Sequence, residues 1–365
     1  SVISISKDYC KKKELHFIRN NLKKNKIKFY EIRKKVKYSG QPILIWNFFN
    51  KEYINNTNIH VAKNFIDTCN IKRNDIIFSY GSASILASSH LKCLKIALLE
   101  DIQDQINIYR TRFSINKFNF IKKILKLIMI KVHFRGYYKW LKKITNSHQI
   151  IYTFSPFDYS KINNYLNLSI LPIPFQEKIK KKKIKKKKLF NISMISAWMS
   201  QDFNGIIQIY NSLIPKLEKY NLMKKVKINL IMRKPKFIPE NIKNILKDRR
   251  VNLIRYNDNI VQSTDMLYYP SKYPVGLRSK ILFAISKSWF VATTKTVNKC
   301  IPELKDYKNC IMSNQMEQLN DKIMRILSNP QKFKYLIKNS YKILKKYSVK
   351  SCVKKIERDL TRLTN

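Results

Sequence analysis

Acidic residues are scarce in this chain: 23 Asp and Glu stand against 74 Lys and Arg, a formal net charge of +51 over 365 residues. Such an imbalance calls for an anionic partner, whether nucleic acid, a membrane surface or a phosphorylated substrate. Glycine is scarce too, with 5 residues, while Lys, Asn, Ile, Tyr and Phe abound. Those five have AT-rich codons and glycine does not, so a low-GC gene accounts for much of the charge without any ligand. On either account the surface attracts phosphate and anionic lipid. The six cysteines (Cys10, Cys69, Cys93, Cys300, Cys310 and Cys352) form no C-x-x-C pair and no cluster with His. They read as buried or free thiols of a reducing compartment, not as zinc ligands. No stretch reaches 18 apolar residues without Lys; the nearest, ILKLIMIKVHF (124–134), is short and interrupted, so no transmembrane helix is expected. The opening SVISISKDYC has no charged segment followed by an apolar one, so no signal peptide is expected and a cytoplasmic location follows. No helix-turn-helix spacing, zinc-ligand pattern or RNP aromatic motif is present, which argues against specific nucleic-acid binding.

What is present is a core and a rhythm. Hydrophobic residues make up 44% of the chain, enough for two packed domains. PILIW (42–46), DIIFSY (75–80), LKIALLE (94–100) and QIIYTF (149–154) are short runs, apolar on both faces, as in buried parallel strands. HVAKNFIDTCN (60–70) and SASILASSHL (82–91) read as helices between them. QEKIKKKKIKKKK (176–188) repels itself and cannot join a core, so residues 176–189 read as a linker. Alternation then resumes. FNISMIS (190–196), VKINLIM (226–232), VNLI (251–254), DMLYYP (265–270) and WFVATT (289–294) read as strands. NGIIQIYNSLIPKLEKY (204–220), PENIKNILKD (239–248) and LRSKILFAISKS (277–288) read as helices, and residues 315–363 as largely helical. Strand–helix alternation implies an α/β chain of two Rossmann-like domains. The expected boundaries are 1–175, 190–345 and a closing helix over 346–365 that crosses back.

The stretch 265–313 carries the most specific signal. It holds Asp265, Pro270-Ser271, Gly276-Leu277-Arg278-Ser279-Lys280-Ile281-Leu282-Phe283-Ala284, Val291-Ala292-Thr293, Glu303-Leu304 and Asn309. By its own chemistry, a strand, a glycine turn and a helix start make a phosphate site from main-chain N–H groups and the helix dipole. Gly276 permits close approach of an anion. Arg278 and Lys280 are expected in the first helical turn, where the dipole disfavours cations unless they share an anion. The plain alternative is two solvated charges in a Lys-rich protein. The string resembles the C-terminal domain of group 1 (family 4) bacterial glycosyltransferases. Fainter echoes are Ile195-Ser196 through Asn204, SPFDYSKI (155–162) before LPIPF (171–175), and Tyr347-Ser348 near the end. The resemblance implies two Rossmann-like domains facing each other across a cleft (the GT-B fold) and a nucleotide-sugar donor. It implies donor contacts at Gly276, Arg278, Lys280, Ser271, Asn204 and Thr293. The acceptor it implies is a surface polysaccharide, lipopolysaccharide or lipid-linked glycan.

The pattern also breaks. The family places a carboxylate before Ala284, against the nucleotide ribose; here Phe283 stands, and a phenyl ring accepts no hydroxyl hydrogen bond. Val275 occupies the position of a second acidic residue. AWMSQDF (197–203) lacks the basic residues that relatives place near the diphosphate, for which Arg233 and Lys234 could substitute. A rearranged donor site, a tolerant subgroup and an inactive binding or scaffold subunit all fit. For the acceptor base, Glu100 and Asp101 follow the strand LKIALL at the sheet edge where such folds bind ligands; Asp101 as a plain helix cap fits equally. His60 reads as a surface residue at a helix start. No D-x-D motif occurs, so no metal and no other cofactor is expected. The basic, aromatic segment 118–144 and the lysines of 178–188 suit an anionic membrane surface, giving peripheral attachment to the inner face of the cytoplasmic membrane. For 118–144 an ordinary surface helix packed by its apolar stripe is the alternative.

Overall fold

The computed structural model describes residues 2–6, 29–33, 63, 66–69, 71–99, 108, 120–172, 175, 189–196, 200–232, 240–255, 263–274, 276 and 278–364. PILIW (42–46), His60, Glu100, Asp101, most of 176–189, residues 197–199, Arg233, Lys234 and Val275 lie outside them. Contacts divide the chain into two compact units, Ser1–Glu100 with Lys131–Ile151, and Asp101–Ile130 with Tyr152–Asn365.

In the first unit, β1 (Val2–Ser6) and β2 (Phe29–Arg33) pair in parallel. β3 (Ile76–Tyr80) and β4 (Leu94–Leu98) pair in parallel, Ile76 opposite Leu94 through Tyr80 opposite Leu98. β5 (Ile150–Thr153) begins at the end of the first unit, and its Tyr152 and Thr153 pair in parallel with β6 (Ser169–Ile170) in the second. β5 is buried along its whole length, as its unbroken run of apolar residues requires. The helix Gly81–Ser88 returns the chain from β3 to β4.

The second unit contains a six-stranded parallel sheet. Its strands are β7 (Phe190–Ser196), β8 (Val226–Met232), β9 (Val251–Arg255), β10 (Met266–Tyr269), β11 (Phe290–Thr293) and β12 (Ile311–Met312), in the order β12-β11-β10-β7-β8-β9. Renumbered from its own first strand, this is the dinucleotide-binding order, read from the far edge. The chain starts in the middle at β7, winds outward to β9, then jumps back to β10 on the other side of β7. All five pairings are parallel. Ile192, Met194, Leu230, Met266, Tyr268 and Ala292 fill the sheet interior and are essentially fully buried.

Every strand expected over 190–294 forms within one or two residues of its apolar run. The helix expected over 204–220 is not uniform. It begins earlier, as Ser200–Gln208, widens into one π-helical turn at Ile209–Leu213, and continues as Ile214–Lys219. Pro215 is the physical reason. It cannot donate, and its ring collides with the carbonyl four residues back, so the wider turn relieves the clash.

The closing segment 315–363 resolves into three helices, Met316–Ser328, Lys334–Lys346 and Val349–Thr364. The last one, and Tyr347 in the turn before it, are tied to the chain that precedes the lysine run. The Phe175 N–H donates to the Tyr347 carbonyl at 2.6 Å. Cys352 Sγ donates to the Pro172 carbonyl at 2.9 Å. The Tyr152 hydroxyl donates to Asp359 at 2.8 Å. Burial and the Asp359 carboxylate raise the Tyr152 hydroxyl well above its ordinary range.

Candidate functional site

In an open parallel sheet the two strands that flank the reversal of winding leave a crevice at their carboxyl ends, because their following helices go to opposite faces. Here those strands are β7 and β10. The chain leaves β10 at Tyr269 and makes the loop 270–278 before the helix Ser279–Ser286. The helix Ser200–Gln208 follows β7. Met194, Gly205, Tyr269, Pro270 and Ser271 line a narrow recess between them. A Cβ at Gly205 would stand 2.5 Å from Met194 Cε, so the end of that side chain would have to shift to admit one. Asn204, its neighbour, is half-buried on the same helix.

The loop is held by side chains that turn back on the main chain. Ser271 is buried, and its hydroxyl donates to the Tyr273 carbonyl at 3.1 Å. Thr293, at the end of β11, donates to the Tyr269 carbonyl at 2.7 Å. Thr294 donates to the Ser271 carbonyl. Ser271 and Thr293 thus brace the strand ends, with their protons spent on the scaffold and their lone pairs left as acceptors.

Arg278 differs from its expected place. It is the residue before the helix, not part of its first turn. Its side chain is buried, and its guanidinium donates to the Tyr273 carbonyl. Sequence spacing missed this because an N-cap and a first-turn residue differ by one position, and the turn back toward Tyr273 is a tertiary contact. Lys280 does stand in the first turn. Its ammonium lies 5.5 Å from the centre of the Tyr269 ring, half-buried.

Gly276 adopts φ 66°, the left-handed region where a Cβ is strained. Its N–H donates to Asp158 Oδ1 at 3.4 Å. Asp158 is fully buried, on the helix Pro156–Ile162, whose start is capped by Ser155 accepting from the Asp158 N–H at 3.1 Å. Asp158 was not among the expected site residues. The signal was in SPFDYSKI: a Ser-Pro start with Asp three residues after the cap marks a helix N-terminus, but not which loop the carboxylate meets.

Phe283 packs edge-on against Trp289, ring centres 5.6 Å apart and planes at 89°. The Lys287 ammonium sits 5.4 Å from the Phe283 ring centre. Other motif residues have structural partners. Asn309 donates to the Glu303 carbonyl and accepts from the Lys305 N–H, both at 2.8 Å, closing the loop 303–309. Glu303 accepts from the Tyr347 hydroxyl at 3.1 Å and pairs with Lys346. Among the described residues no three His, Cys, Asp or Glu side chains gather in a metal-like group.

No protein-family model and no curated protein sequence matches the chain. Solved structures do. A glycosyltransferase from Rickettsia africae superposes with a TM-score of 0.62 at 14% identity, covering 100% of this chain and 90% of that one. HepE from Anabaena, solved with UDP and glucose, gives 0.63 at 11% identity, covering 94% and 88%. TarM gives 0.61 at 16% identity; the match covers 83% of this chain but spans only 58% of TarM's length. With its parallel sheets and these neighbours, the chain has the GT-B fold.

Proposed function

We propose that this chain transfers a sugar from a nucleotide-sugar donor to a glycan or lipid-linked acceptor of surface polysaccharide or lipopolysaccharide type. One observation carries the reading. The loop 270–278, with Gly276 in the left-handed region and Lys280 in the helix turn that follows, sits at the switch point of a sheet with dinucleotide-binding strand order. A leaving diphosphate needs positive charge that is already oriented. The amino end of Ser279–Ser286, with Lys280 and Arg278, offers it without a metal. Ser271, Asn204 and Thr293 border the same strand ends. Asp101 with Glu100, just past β4, is the proposed base for the acceptor hydroxyl. The acceptor side works at an anionic membrane reached through 118–144 and 178–188, which makes the chain a peripheral protein of the inner face.

The test is thermal-shift titration with UDP-, GDP-, CDP- and dTDP-sugars at fixed salt. Saturation at about 100 times the dissociation constant adds about 2.7 kcal/mol of stability. A shift selective for one nucleotide, and lost in Lys280→Ala, supports the donor site and names the sugars to assay for transfer. No shift with any nucleotide defeats it. Phe283 favours a second reading, an inactive binding subunit of glycan assembly, because the ring packs on Trp289 where a carboxylate would meet a ribose. Nucleotide binding without turnover on any acceptor would select that reading.

A further inference from the structure

Strand β10 carries two tyrosines in succession, and successive side chains of a strand point to opposite faces. Tyr268 is fully buried in the core cluster of the second unit. Tyr269 turns to the other face, toward the helix Ser279–Ser286, and is buried there at 4% exposure. Its main chain is pinned at the strand end, where its carbonyl accepts from Thr293 Oγ1 at 2.7 Å and from the Ser271 N–H at 2.9 Å. What its ring meets is a cation. The Lys280 ammonium stands 5.5 Å from the ring centre, within the range where a ring quadrupole attracts a charge. Lys280 is the second residue of its helix, at the end whose dipole repels a cation. The other end of the helix gives the contrast. There Lys287 lies 5.4 Å from the Phe283 ring centre, and the dipole itself favours a cation. Lys280 has only the ring contact working against the dipole, at the border of the recess that Tyr269, Pro270 and Ser271 line. The ring covers one side of the ammonium and leaves its other N–H groups to meet an oxygen anion.

We propose that Tyr269 is a positioning residue: its ring seats the Lys280 ammonium so that it addresses the diphosphate of the donor. The inference rests on the nucleotide-sugar reading for the identity of the anion. A lysine on a free four-carbon stem must be ordered at the moment of binding, and that ordering costs affinity; a lysine already seated avoids the cost. Seated charge also needs no reorientation as negative charge builds on the leaving diphosphate. The burial of the ring excludes water from its side of the ammonium, which strengthens the contact. The seat requires a π face and not a hydroxyl. Phenylalanine at 269 therefore serves as well as tyrosine, and an aliphatic side chain does not.

The experiment is a double-mutant cycle on binding by the full chain. Isothermal calorimetry is run with UDP, GDP, CDP, dTDP and inorganic pyrophosphate, the last carrying the diphosphate alone. The variants are Tyr269→Phe, Tyr269→Leu, Lys280→Met, and Tyr269→Leu combined with Lys280→Met. Tyr269→Phe should bind like wild type, and Tyr269→Leu about three- to tenfold more weakly. In the Lys280→Met background Tyr269→Leu should change affinity by less than about twofold, because no ammonium is left to seat. Equal losses in both backgrounds would make Tyr269 a support of the fold only, and overturn the inference. Tighter binding by Tyr269→Leu overturns it as well, since the ring would then hold the ammonium away from the anion. A wild type that binds none of the probes defeats the nucleotide-sugar reading and the inference together; equal losses in a protein that binds nucleotide defeat the inference alone. A second measurement needs neither a folded leucine variant nor a nucleotide. In carbon–proton NMR of wild type, the Lys280 ε-methylene signal, identified by its loss in Lys280→Arg, should lie upfield of the exposed lysines under the ring current of Tyr269. An unshifted signal removes the seat.

Discussion

The buried carboxylate of Asp158 accepts from the main-chain N–H of Gly276 across 3.4 Å. It joins the helix Pro156–Ile162, which precedes the lysine run in sequence, to the loop after β10 that borders the candidate donor site. Asp158→Ala should leave that buried N–H without its acceptor and cost about 1–3 kcal/mol. Asp158→Asn keeps an acceptor oxygen and should recover most of the loss. Chemical denaturation with and without a stabilising nucleotide-sugar reads both effects. Equal stability of Asp158→Ala and wild type would remove the loop-holding role.

Gly276→Ala puts a Cβ on a residue at φ 66°. Left-handed backbone costs a residue with a Cβ about 1–2 kcal/mol. The expected outcome is a destabilised loop and a weaker nucleotide shift, while Gly205→Ala should act through crowding of Met194 instead. Measured against Met194→Ala as the reference, the cost of Gly205→Ala should shrink and that of Gly276→Ala should stay the same. Thermal unfolding of the three single and two double variants decides between strain and crowding.

Phe283→Ala should cost about 1–3 kcal/mol, because the ring is half-buried and meets Trp289 edge-to-face. It should change nucleotide affinity by less than about twofold, since the ring has no acceptor to give a ribose hydroxyl. Isothermal calorimetry on the two proteins checks the second statement. A large loss of affinity would mean that Phe283 stacks on the nucleotide directly.

His148 is buried in the first unit, with Ser88 Oγ 3.5 Å from Nε2 and Ser147 Oγ 3.3 Å from Nδ1. Burial first, then the nearby Lys95 ammonium, lowers its pKa from 6.5 to about 4. The folded state thus binds this proton less readily than the unfolded one. The stabilisation is whole above pH 6.5, falls as pH drops from 6.5 toward 4, and changes no further below that. The slope is at most about 1.4 kcal/mol per pH unit for one proton. Urea unfolding at pH 7 and pH 5 should show a smaller difference in His148→Gln than in wild type. An unchanged difference would assign the pH response elsewhere.

Much of the second unit was legible as sequence. The strands from FNISMIS to WFVATT are short apolar runs between charged segments, and burial on both faces demands that composition. The glycine turn of the donor loop was legible for the same local reason: position 276 needs a residue without Cβ. The partners were not legible. Asp158 and Gly276 are 118 residues apart, and no local rule pairs them. The charge of Arg278 was legible, but the contact of its guanidinium with the Tyr273 carbonyl was not. The helix Phe120–Thr145 looked amphipathic as a whole. Which of its apolar residues face solvent depends on what packs beside each half.

The sequence by itself determined the element types, the parallel α/β class and the positive surface, because each follows from local composition, spacing and charge. Tertiary structure decided the rest: the strand order that creates a crevice between β7 and β10, and the long-range clasp on Gly276. Those are matters of which surfaces exclude water from one another, and that is settled only when distant segments meet.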